Sequence, residues 1–167
     1  MAMGLSTING LPTHILMVHI VVVLVPLAAL MLVASVLWPG GRRRLGPITP
    51  LVSLAALVAI PLTIESGEWL EHHTARDPLV RIHTHLADGL LPWSAATFLL
   101  AVVWWATHSE WVGRWSRTAG IAAVTANRIV VIAMIVVAVA VSVGSVVQVY
   151  RIGDSGARAA WHDRLGS

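Results

Sequence analysis

The sequence predicts an all-α fold, an integral membrane four-helix bundle, and three observations predict it. Hydrophobic residues make up 57% of the 167, charged residues only 11%, and mean hydropathy is +0.79. An ordinary soluble domain is about a quarter charged. Four stretches approach the roughly 20 apolar residues that cross a bilayer as helix. Their apolar positions follow no amphipathic stripe, which sets them apart from soluble surface helices. One domain, 1–167, is expected, with no linker and no evident internal repeat.

The spans fall at about 13–38, 48–70, 84–107 and 128–150. The first is apolar from Ile15 to Leu37 apart from His19, Pro26 and Ser35. No basic residue precedes it and no small-residue cleavage site follows, so it reads as a span and not a leader. The second runs from Ile48 through Ile64 and continues over Glu65–Leu70. The third, Leu86–Ala106, contains Asp88. The fourth, Ile129–Val149, is bracketed by Arg128 and Arg151. Many of these residues are Val and Ile, but lipid forces the backbone to satisfy itself, so helix is expected throughout. Pro26, Pro61 and Pro92 should kink or end helix locally. Ala138-x-x-x-Ser142 and Ala140-x-x-x-Gly144 offer small residues for close helix packing. The segment Ser109–Asn127 has room for a short interfacial helix carrying Trp111 and Trp115.

Arginine sets the expected orientation. Arg42, Arg43, Arg44, Arg114, Arg117 and Arg128 follow spans one and three, opposed only by Glu110. That face is placed in the cytoplasm of a bacterial plasma membrane, with both termini outside. Trp38, Trp104, Trp105, Trp111 and Trp115 then form an inner aromatic belt, and Trp69, Trp93 and Tyr150 an outer one. All basic residues are arginine and no basic stripe accompanies the pI, so nucleic acid is not an expected partner. The lipid bilayer is, together with other membrane or redox subunits or a second copy of the chain.

Seven of the eight acids and seven of the eight histidines lie on the outer side. Counting from the inner charges, each span lifts one ionisable residue, His19, Glu65, Asp88 or Arg151, to roughly 30–34 Å at 1.5 Å per residue. A second tier holds His14, Glu68, His72, His83, His85 and Asp154. Two readings follow. In one, Arg151 neutralises Glu65 and Asp88 in a structural salt-bridge layer of an accessory subunit. In the other, an outward-facing histidine–carboxylate site holds a divalent metal, drawing on His14, Glu65, Glu68, His72, His83, Asp88 and Asp154. Glu68 and His72 share a helix face, whereas His14 and His19, five apart, diverge by about 140°. A b-type haem is the other cofactor candidate. His14 or His19 with His83 would give its axial pair, and Arg81 or Arg151 its anion partner. The absence of cysteine excludes disulfides, thiolate zinc sites, iron–sulfur ligation and a cysteine nucleophile. Gly153-Asp154-Ser155-Gly156 matches a protease nucleophile signature in four residues only, with no barrel context. No residue pattern fixes a reaction.

Four stretches carry a family likeness. They are Leu11-Pro12-Thr13-His14 with Val18-His19 and Pro26; Glu65-Ser66-Gly67-Glu68-Trp69-Leu70-Glu71-His72; His83-Thr84-His85-Leu86-Ala87-Asp88; and Val149 to Ala157. In this order they resemble the bacterial membrane family called domain of unknown function 2231. The resemblance implies four spans and electron-transfer surroundings, since some relatives carry a fused Rieske domain. Many relatives have histidine where this chain has Asp154, a change that favours a hard-metal or proton site there. A Rieske segment is excluded by the lack of cysteine, so an electron partner would be another chain.

The expected topology is directly testable. Cysteines introduced at Gly40 and Arg76 should react with an impermeant thiol reagent from opposite sides of intact cells. Labelling of both from one side would overturn it.

Overall fold

In a computed structural model of the chain, residues 7–8, 11–72, 78–109 and 127–165 are described, with the side chains of 13–69, 78–109 and 127–161. The fold is all-α. A short antiparallel ribbon pairs Thr7–Ile8 (β1) with Leu11–Pro12 (β2) ahead of the first helix. Helix α1 runs Thr13–Leu37, α2 Pro39–Leu45, α3 Ile48–His72, α4 Pro78–Asp88, α5 Leu90–His108 and α6 Arg128–Leu165. Four helical segments, 13–37, 48–69, 78–108 and 128–161, are long and apolar enough to cross a membrane, as in a multi-pass membrane protein. The interfacial helix expected within Ser109–Asn127, with Trp111 and Trp115, lies outside the described residues apart from its two ends.

The helices form a square in the order α1, α3, α5, α6, and α4 lies against α6. Large aliphatic residues cover the outside: Val23, Leu30, Leu51, Leu99 and Val136 are exposed. The interior is rich in small and hydroxylated residues, with Ala28, Ala29, Ser53, Ala56, Ser94, Thr97, Ala101, Ser142 and Ser145 buried beside Leu32, Ile60, Leu90 and Trp104. This inverts a soluble protein, because lipid tails solvate Leu and Val as well as the core does.

Of the three prolines, Pro26 and Pro61 sit inside unbroken helices. The third span breaks where Pro92 withholds an N–H from the carbonyl four residues back. A turn at Gly89 therefore separates α4 from α5. The Gln148 amide, reaching from α6, donates to the Leu86 carbonyl at this break (2.7 Å). The fourth span is longer than the apolar run suggests. The 38 residues of α6 extend about 57 Å, against a hydrocarbon core of about 30 Å.

Between α1 and α3 the chain turns through α2, with Pro39 in its first turn and Gly46 at its end. Gly46 has φ +39°, a conformation that costs glycine little. Gly41 lies so close to α1 that a Cβ would sit 2.7 Å from the Ala34 carbonyl oxygen. Arg44 reaches over Trp38, 5.8 Å from the ring centroid.

A repeat is present after all. Helix α1 and the α4–α5 pair bury residues at matching intervals: Val21 and Leu90, Val25 and Ser94, Ala28 and Thr97, Leu32 and Ala101, Ser35 and Trp104. Helices α3 and α6 do the same with Thr49 and Ala138, Ser53 and Ser142, Ala56 and Ser145, Ala59 and Gln148, Ile60 and Val149. The bundle is thus two similar helical hairpins packed together. Trp104 belongs to this core and not to an interfacial belt. It is 4% exposed, and its indole N–H donates to the Ser35 carbonyl (3.0 Å), joining two matched positions.

The small-residue pattern on α6 has a defined use. Ala138 and Ser142 are buried, and Trp93 lies directly on Gly144, leaving no room for a Cβ. Gly144→Leu should therefore lower stability in detergent by about 1–3 kcal/mol or more. Ala140→Leu, on the exposed face of the same helix, should leave thermal melting nearly unchanged. Equal melting of the two variants would refute this packing.

Candidate functional site

At the end of the bundle where α1 begins, all four sides contribute to an apolar cleft of about 60 Å³. His14, Val18, Val21 and Val22 come from α1; Ile60, Thr63 and Ile64 from α3. His83 and Ala87 come from α4, Leu90 from α5, and Val149 and Ile152 from α6. The matched positions of the two hairpins meet here, with His14 paired to His83, Val18 to Ala87, Val21 to Leu90 and Thr63 to Ile152.

Both histidines are mounted in the same way. His14 Nδ1 lies 3.1 Å from the Thr63 carbonyl oxygen, and His83 Nδ1 lies 3.1 Å from that of Ile152. A carbonyl only accepts, so each Nδ1 carries the proton and each Nε2 keeps its lone pair. Neither Nε2 has a hydrogen-bond partner among the described residues. A serine one turn along stands beside each ring. Ser66 Oγ is 3.4 Å from His14 Nδ1, and Ser155 Oγ is 3.1 Å from His83 Nδ1. Each serine hydroxyl also donates to the carbonyl that its histidine uses, at 2.8 and 2.9 Å. The next residue is glycine in both hairpins, and each imidazole packs against it through Cε1 and Nδ1. A Cβ on Gly67 would come within 2.9 Å of His14 Cε1, and one on Gly156 within 3.0 Å of His83 Cε1.

The carboxylates do not join this cleft. Glu65, Glu68, Asp88 and Asp154 are exposed, as are His19, His85 and Arg151. Helix phase is the reason. Serine and glycine of Glu65-Ser66-Gly67 and Asp154-Ser155-Gly156 face the histidines, so the acid before them points about 100° away. His19 and Asp88 each follow a cleft histidine by five residues and diverge by about 140°. His19 Nδ1 bonds within its own helix to the Ile15 carbonyl (2.6 Å). The expected layer joining Arg151 to Glu65 and Asp88 is not formed. Among the described residues the ion pair present is Arg158 with Asp154 (2.9 Å), on the exposed surface of α6. Nor do three or more His, Asp or Glu side chains gather closely enough among those residues to hold a metal ion. The His72 side chain lies outside the described residues.

Sequence reasoning missed Ser66, Gly67, Ser155 and Gly156. The available signal was the recurrence of acid-Ser-Gly at the ends of spans two and four. No family model, curated protein or solved structure matches the chain.

The glycine contacts make a graded prediction. Gly153 has open space where a Cβ would stand, so Gly153→Ala should stabilise α6 by about 0.5–1 kcal/mol through helix propensity. Gly67→Ala and Gly156→Ala should forfeit that gain and lower the melting temperature, since each must displace an imidazole. Three equal gains would disprove the seating of the rings.

Proposed function

We propose that this protein is a small multi-pass electron carrier of the bacterial plasma membrane, with a b-type haem held between His14 and His83. The observation that carries the reading is the pair of imidazoles on opposite hairpins, each with Nδ1 tied to a carbonyl and Nε2 unengaged in one apolar cleft. Anchoring of the remote nitrogen is the usual means of orienting a metal-ligating histidine and raising its basicity. Two imidazoles are too few to hold a bare ion firmly, but they suffice for a tetrapyrrole, which brings four equatorial nitrogens of its own. When bound, the group supplies one-electron chemistry. His14 and His83 would hold the group, beside an apolar wall from Val18, Val21, Ile60 and Leu90 and with Gly67 and Gly156 leaving room for the two imidazoles. Arg81 and Arg151 are exposed beside the same end and are suited to the propionate carboxylates.

Membership of the family called domain of unknown function 2231 and an orientation with the histidines outside belong to the same proposal. The likeness at Glu65–His72 and Val149–Ala157 supports the first. The Arg42–Arg44 cluster at the opposite end supports the second. Electrons would come from, or pass to, another membrane chain.

Protein purified from haem-replete cells should show a Soret band with stoichiometric iron. His14→Ala and His83→Ala should each abolish the low-spin spectrum, whereas His19→Ala and His85→Ala should retain it. A colourless native protein, or a spectrum indifferent to His14 and His83, would refute the proposal.

A further inference from the structure

The opposite end of the bundle holds a second cavity of different chemistry, open and about 440 Å³ in size. Its lining includes Arg42, Arg43, His108, Trp105, Ser35 and Thr49. Arg42, Arg43, Trp105, Ser35 and Thr49 can each donate a hydrogen bond, and no carboxylate is among the cavity's described lining residues. Arg42 is half-buried, and neither its guanidinium group nor that of Arg43 has an ion pair or hydrogen bond among the described residues. Arg44, by contrast, is committed to the face of Trp38. His108 Nδ1 donates to the Trp104 carbonyl (2.9 Å), so the neutral ring keeps its Nε2 as an acceptor and adds no donor to the cavity. Ser35 and Thr49 place their hydroxyls 3.2 Å apart at the floor.

We infer that this cavity binds a phosphate ester between Arg42 and Arg43. Planar guanidinium groups match phosphate oxygens through paired hydrogen bonds, and two of them offset the charge of a phosphate group. Arginines that serve only to orient spans need no cavity, and solvation would keep them all exposed. The size exceeds that of a lone anion and fits an ester with its substituent. The location at the end of the spans admits two sources of that chemistry, the headgroup of an anionic lipid and a soluble phosphate.

The test uses the full chain in neutral detergent, with intrinsic tryptophan fluorescence read during titration. The probes are dihexanoylphosphatidylglycerol, inorganic phosphate and hexanoate. Phosphatidylglycerol should bind saturably and at least tenfold more weakly to the Arg42→Gln/Arg43→Gln variant. The single variants, each expected to lose several-fold, carry the test if the double variant does not fold. Arg44→Gln should stay within twofold of native. Saturable binding of inorganic phosphate as well identifies a soluble source, and binding of the lipid alone identifies a headgroup. Binding of hexanoate as tight as that of the phospholipid would overturn the phosphate assignment. No saturable binding, or binding indifferent to Arg42 and Arg43, would overturn the site. Binding seen only in Glu110→Gln would place the chain's own carboxylate in the cavity and also overturn it.

Discussion

Lipid removes the force that normally holds a protein core together, and the interior of this bundle is shaped by that constraint. Burying Leu against Leu gains little when the alternative is Leu against an acyl chain. Cohesion then comes from close approach and dispersion. The buried faces accordingly carry many Ala, Ser and Thr residues beside a few large ones such as Leu32, Ile60 and Trp104, and most bulky aliphatics face outward. Hydroxyls in such a place are costly unless bonded. Most are satisfied within their own helix, as Ser53 is by the Thr49 carbonyl, Thr63 by Ala59 and Ser145 by Val141. Contacts between helices are fewer and more telling: Ser35 with Thr49, Thr97 with Ser145 and Trp104 with Ser35. Ser94 and Ser142 have buried hydroxyls without a partner among the described residues.

The same constraint explains what could be read in advance. Length and apolarity give span number, because a bilayer has one thickness. They do not give phase, because a helix that is apolar all round has no amphipathic face. The His19, Glu65, Asp88 and Arg151 layer rests on depth alone, and depth is blind to azimuth. Azimuth turns all four outward. His14 and His83 could be named as candidates because imidazoles are rare enough to notice. Their carbonyl partners were invisible, since Thr63 and Ile152 contribute only backbone. The repeat was hidden for a related reason. Its matched positions exchange Val for Ser, Ala for Thr and Ser for Trp, which preserves a buried site without preserving letters. The intervals also differ between the two matched helix sets, so no single period runs along the chain.

The two ends of the bundle have diverged to different degrees. At the histidine end both hairpins keep an imidazole, a serine and a glycine in equivalent places, and a guest lying between them would meet nearly the same surroundings on each side. At the arginine end the equivalence lapses. Ser35 faces Thr49 in one hairpin, while its counterpart Trp104 fills the core and donates across to the other. A repeated scaffold with one matched end and one unmatched end can carry a symmetric ligand and an asymmetric one without conflict.

The turn at Gly89 makes the matched end mechanically unequal. His14 rides on a helix that continues without interruption into the bundle. His83 rides on α4, a separate piece joined through that turn and tethered by the Gln148 amide on Leu86. One jaw of the cleft is therefore stiff and the other compliant. Opening to admit a flat guest would be taken up by rotation of α4, and α1 would serve as the fixed reference against which it closes.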